Sequence, residues 1–142
     1  MTTIYLSIFV LFMAFYSSFS VANSTQPQCE ITLGELKWKK RVLIYSASSA
    51  KELNNLNTFA QYDRAALSER KLVIIGIVDR QPTIVFGYPH CSTRLDKLVP
   101  QDKVTLIGLD GAVKAKYSSF DSDLIYSTID KMPMRKTELN GY

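Results

Sequence analysis

The chain has 142 residues, of which 46% are apolar or aromatic and 21% charged, and its formal net charge is +4. That length suits one domain with its own core and is too short for two. Two cysteines, one histidine and six dispersed glycines leave no cluster for a transition metal and no glycine-rich phosphate loop.

The lysines and arginines are spread over 37–41, 64–71, 94–103, 114–116 and 131–136. Such scatter describes a solvated surface rather than a nucleic-acid groove, so no nucleic-acid partner is expected.

Ile4 to Phe19 is almost wholly apolar or aromatic, and no charged side chain precedes Glu30. The run ends in Ser20-Val21-Ala22, small residues of the kind a signal peptidase reads. Residues 1–22 are therefore expected to be a signal peptide, leaving a secreted or periplasmic protein with no membrane span. An uncleaved anchor is the rival, although the apolar run is short for a span of about 20 residues. Residues 23–35 read as a flexible N-terminus and lead-in. In an oxidising compartment Cys29 and Cys91 suit a disulfide better than two free thiols.

Trp38, just ahead of the first apolar strand, is expected to pack across the edge of the core. Val42 to Tyr45 is continuously apolar, the mark of a strand covered on both faces. Ser49 and Glu52 form a capping-box signature. Leu53, Leu56, Phe59, Ala60 and Leu67 then predict a helix over about 50–69. Leu72 to Val78 is a second apolar strand, completing a right-handed parallel βαβ unit. Thr83 to Phe86 reads as a short strand bounded by Pro82, Gly87 and Pro89.

Ser92 to Val99 is expected as a short helix with Leu95 and Leu98 inward, and Val104 to Leu109 as a strand. Asp110-Gly111 predicts a two-residue hairpin with positive φ at both positions. Val113, Ala115 and Tyr117 alternate with Lys114 and Lys116 in a half-exposed strand. Ser119 or Asp121 caps a last helix carrying Ile125, Ile129 and Met132, which Pro133 ends.

This order, a parallel βαβ half followed by an antiparallel ββα half, is that of the thioredoxin core. Two segments support it: "LKWKKRVLIYSAS" at 36–48 and "VTLIGLDGAVKAKYSSFDSDLIYSTIDKMPMRKTEL" at 104–139. They resemble a family known mainly as a domain of unknown function. Its pattern is a Trp-Lys-x-Arg lead-in, a strand ending in a small-residue corner, a "LIGxDGxVK" hairpin and a terminal "IDxMPMR". Trp38, Lys39 and Arg41 carry the first part; Leu106 to Gly108, Asp110, Gly111, Val113 and Lys114 the hairpin; Ile129, Asp130 and Met132 to Arg135 the ending. The resemblance implies a secreted, peroxiredoxin-related α/β fold, a thioredoxin-like βαβ–α–ββα sandwich with a central mixed sheet, over 36–139, with 140–142 as a tail. The family includes small secreted bacterial proteins. It is also similar to a domain of larger extracellular proteins with sushi repeats. It brings no catalytic residues and no cofactor.

The place where redox thioredoxins carry Cys-x-x-Cys falls here within Ser46 to Ala50. Serine cannot cycle through a disulfide, and no histidine or acid adjoins it in sequence. Ser46, Ser48 and Ser49 are thus caps or a ligand-anchoring corner. The proline that faces such a site stands immediately before the third core strand, whereas Pro100 lies three residues before Lys103.

Cys91, with His90 before it and Arg94 one turn on, is a candidate reactive thiol, with Cys29 as resolving partner. Lys114 and Lys116 either guard an edge strand or join Arg135 in an anion-binding rim. Two functions compete. One is a non-catalytic module binding an unidentified protein or an envelope or extracellular component. The other is a thiol or peroxide oxidoreductase.

Overall fold

Two apolar runs demand burial on both faces, and the fold is organised around them. In the computed structural model, which describes residues 29–95 and 100–141, the elements are as follows. The chain runs β1 (Cys29–Thr32), α1 (Leu33–Leu36), β2 (Arg41–Ser46), α2 (Ala50–Tyr62), α3 (Arg64–Glu69) and β3 (Leu72–Val78). It continues with β4 (Gln81–Phe86), β5 (Cys91–Arg94), β6 (Val104–Ile107), β7 (Val113–Tyr117), α4 (Ser122–Asp130) and α5 (Pro133–Asn140). The expected leader, residues 23–28 and positions 96–99 of the expected helix lie outside the described residues.

Five strands form one mixed sheet in the order β4-β3-β2-β6-β7. β2 and β3 are parallel, with Val42 opposite Val73 and Ile44 opposite Ile75; β6 is antiparallel to β2, and β7 to β6. This is the expected α/β class, consistent with a thioredoxin-like sandwich, with β4 added at one edge.

Side chains alternate across the pleat. Leu43, Tyr45, Leu72, Ile74, Val104 and Leu106 face Leu56 and Ala60 of α2, Leu67 of α3, and Ile125 and Ile129 of α4. Val42, Ile44, Val73, Ile75 and Ile107 face the other way, onto Leu36 with Ile31, Leu33, Tyr88 and Leu95 beside it.

The lid over that second face differs from expectation. Residues 29–35, read as lead-in, form β1 and a single helical turn capped reciprocally by Thr32 and Glu35. Ser92 to Arg94, expected to open a helix over 92–99, instead belong with Cys91 to a strand parallel to β1, Cys29 opposite Cys91. The two cysteines are joined, their Cα atoms 4.6 Å apart. Thr93 Oγ1 donates to the Ile31 carbonyl at 2.8 Å. Pairing with a distant strand and a covalent bond outweighs the weak local preference for helix.

Other differences have equally local causes. The helix over 50–69 breaks at Asp63, whose carboxylate accepts the Tyr126 hydroxyl of α4 at 2.5 Å. The expected last helix, α4, does end before Pro133, but already at Asp130, leaving Met132 outside it. Pro133 starts a further helix, α5, at its first position, where no N–H is required. Trp38 is 63% exposed, while Leu36 fills the core at 2%. The Trp38 backbone takes φ 65°, and its N–H donates to the Leu109 carbonyl at 2.6 Å. A bulky residue held there costs about 1–3 kcal/mol.

The hairpin is longer by one residue than expected. Gly111 N–H donates to the Gly108 carbonyl at 3.0 Å, and Gly108 N–H to the Ala112 carbonyl at 2.9 Å. Leu109, Asp110 and Gly111 thus form a three-residue loop in which only Gly111, at φ 77°, is left-handed. Asp110 Oδ1 accepts from Ala112 N–H at 3.1 Å, an Asx turn that makes a positive φ at Asp110 unnecessary. Gly111→Val is expected to destabilise the fold by about 1–3 kcal/mol, read as a lowered denaturant midpoint at unchanged slope.

Candidate functional site

At its carboxyl end β2 delivers the chain to the corner from which α2 departs. Ser46 N–H donates to the Lys103 carbonyl at 2.9 Å, and Ala47 N–H to Ile77 at 2.8 Å, so both neighbouring strands pin the corner. Ser49 caps α2, its hydroxyl accepting from Glu52 N–H at 3.3 Å. Glu52 does not close the expected capping box. Its carboxylate accepts from Ser48 N–H at 2.7 Å and from Lys103 Nζ at 2.6 Å. Lys103 Nζ also donates to Ser48 Oγ at 3.2 Å and lies 5.0 Å from the centre of the Tyr45 ring.

The electrostatics decide what this cluster can do. The Lys103 ammonium, and next the Ser48 N–H, hold the Glu52 carboxyl below its usual range. Glu52 in turn pushes the Lys103 ammonium above its ordinary value, overriding the opposing effect of burial. Lys103 therefore stays protonated at neutral pH. Ser48 and Lys103 stand at the spacing of a nucleophile and base, but a protonated lysine cannot take the hydroxyl proton. The positive end of α2 is occupied by the protein's own carboxylate. The corner is a satisfied ionic cap. Neither Glu52 as an ion-pair partner nor Lys103 was legible in sequence, because 51 positions separate them.

The thiol candidates form a different arrangement. Cys91 is bonded to Cys29. His90 is exposed on a left-handed backbone at φ 70°. Arg94 pairs with Glu30 across the β1–β5 ribbon at 3.1 Å. Among the described residues no group of histidine, cysteine or carboxylate side chains could hold a metal ion.

The lysines and Arg135 do not share a rim. Lys114 pairs with Asp110 at 2.6 Å and Lys116 with Asp102 at 3.0 Å, along the outer strand β7. Arg135 is buried, donating to the Glu69 carboxylate and carbonyl, to Asp130 at 3.4 Å and to Glu138 at 3.5 Å.

Arg41, wholly buried at the start of β2, donates to Glu138 at 3.2 and 3.4 Å and to the Arg70 carbonyl at 2.9 Å. Arg70 reaches Asp130 at 2.7 Å. Three residues carrying the family resemblance, Arg41, Asp130 and Arg135, thus belong to one ionic cluster that ties the amino end of β2 to α3, α4 and α5. Burial pushes the Asp130 and Glu138 carboxyls up, but Arg70 and Arg135 pull Asp130, and Arg41 and Lys71 pull Glu138, net below their ordinary values.

The profile of a family described as a domain of unknown function, DUF4174, matches residues 32–138. No curated protein and no solved structure matches the chain.

Asp130 and Glu138 have folded pKa values below their unfolded ones, so each adds stability above the ordinary carboxylate range. That stability is lost as pH falls through the lowered folded value. Melting temperature should therefore hold steady above about pH 5 and fall below it. Glu138→Ala leaves Arg41 buried without its carboxylate and is expected to cost about 3 kcal/mol at neutral pH by chemical denaturation.

Proposed function

The chain belongs to the DUF4174 family, whose function is unknown, so its own geometry carries the reading, and we propose that it is a secreted thioredoxin-like module that binds a protein, glycan or envelope component without redox turnover. The observation that carries this is the use of its thiols. Both cysteines of the chain are joined across β1 and β5, while the corner where thioredoxins place theirs holds Ser46, Ser48 and Ser49. A bridge spanning 62 positions removes chain entropy worth about 4 kcal/mol from the unfolded state. Its role on this reading is to hold the ribbon over the second face of the sheet. The apolar leader Ile4 to Phe19 and the disulfide both suit an oxidising compartment.

Expressed with its leader, the protein is expected to be exported and to begin at or near Asn23 by intact mass. Purified without reductant and then denatured, it should show no titratable thiol. It should neither reduce insulin disulfides nor consume hydrogen peroxide. Replacing both cysteines by serine should lower the melting temperature. Rapid peroxide consumption by the wild type, abolished by Cys91→Ser alone, would establish the oxidoreductase with Cys29 as resolving thiol instead.

A further inference from the structure

Trp38 is the one tryptophan of the chain, and the fold holds it out in solvent on a left-handed backbone. Three lysines surround it in sequence. Lys37, Lys39 and Lys40 have no carboxylate at ion-pair distance among the described residues, although Glu35 feels the charge of Lys39. The Lys37 ammonium lies 5.8 Å from the Trp38 ring centre, which keeps a positive charge beside the indole.

A cavity of about 190 Å³ opens beside this turn. Lys37 and Lys40 line it on one side, and Gly108, Asp110 and Gly111 of the hairpin on the other. The volume is roughly six waters' worth, the scale of one small ring.

We propose that this turn and cavity bind an acidic saccharide. A sugar ring presents an apolar face of C–H groups and a rim of hydroxyls, and the acidic substituent adds negative charge. Exposed indole offers the flat surface for the first, the Asp110 carboxylate an acceptor for the second, and the unpaired lysines a counter-charge for the third. A lipid surface fits less well. It cannot enter a recess, and one aromatic with a few lysines is a weak anchor.

This inference deepens the binding reading above by naming a ligand class and rests on that reading. Its test is independent of the thiol measurements: if saccharide fails to bind while no free thiol is found, only the ligand assignment falls.

Because Trp38 alone supplies indole emission, the site reports on itself. The whole mature protein is titrated with oligogalacturonate, with a sulfated heparin oligosaccharide, with a neutral malto-oligosaccharide and with phosphatidylglycerol vesicles. A saturable blue shift with the carboxylated or sulfated saccharide is expected, at least tenfold tighter than with the neutral one and weakening as salt rises. The stronger of the two acidic probes identifies the substituent.

By calorimetry Trp38→Gly, which relieves the positive φ and keeps the fold, should lose at least tenfold in affinity. The Lys37→Gln/Lys40→Gln pair should do the same. Lys51→Gln, at the opposite end of β2, should bind as wild type. The proposal is overturned if neither acidic saccharide moves the emission, if the neutral one binds equally well, if Trp38→Gly or the lysine pair binds undiminished, if Lys51→Gln weakens binding as much as they do, or if only vesicles produce the shift, which would mark a membrane-facing turn.

Discussion

A parallel pair of strands with no polar face must be covered twice, and β2 with β3 impose that constraint on the whole molecule. From Val42 to Tyr45 and from Leu72 to Ile75 every side chain is buried. One face is covered by helices drawn from both halves of the chain, α2 and α3 from the first and α4 from the second. The other face is closed by less material: a helical turn, two four-residue strands and their loops. An isolated two-stranded ribbon is marginal in water. The bond between Cys29 and Cys91 compensates by limiting the freedom of the unfolded chain.

The two ends of β2 receive charge in different ways. At its start the buried guanidinium of Arg41 needs an acid, and Glu138 from the last helix supplies it. That contact, with Arg70 and Arg135 held on Asp130, ties α5 to the amino end of the sheet. Buried ion pairs are poor sources of net stability but costly to break, so they specify one docking of α5 more than they strengthen it. At the other end Lys103 and Glu52 close the corner through a pair that remains partly exposed. A positive helix terminus there would otherwise favour an incoming anion or a thiolate.

Geometry therefore separates two roles that the family resemblance blends. Arg41, Asp130 and Arg135 lie in a cluster whose partners are all internal, which marks them as structural. Trp38 and Lys39 come from the same lead-in and are exposed. The lead-in supplies Leu36 to the core and Arg41 to the ionic cluster, so the turn between them is held at both ends. The Trp38 backbone bond to Leu109 adds a third point of attachment, from the hairpin. A left-handed tryptophan is tolerated because those contacts over-determine its position.

What the sequence determined by itself was whatever depends on neighbours in the chain. Continuous apolar runs marked β2 and β3, alternation marked β7, Ser49 and the pair Ser119 or Asp121 marked helix starts, and Asp110-Gly111 marked the hairpin, of which only Gly111 is left-handed. The count of two cysteines made their pairing legible as one choice among few. Only the tertiary structure decided the strand at Cys91–Arg94, the break at Asp63 and the partners of Arg135, Glu52 and Lys103. Each of these rests on a hydrogen bond, ion pair or disulfide to a residue remote in sequence. Trp38 was misplaced for a related reason: its size argues for burial, but Leu36 already fills the core and the Leu109 carbonyl fixes the turn. Local propensity is worth a few tenths of a kcal/mol per residue, and one satisfied long-range contact exceeds it.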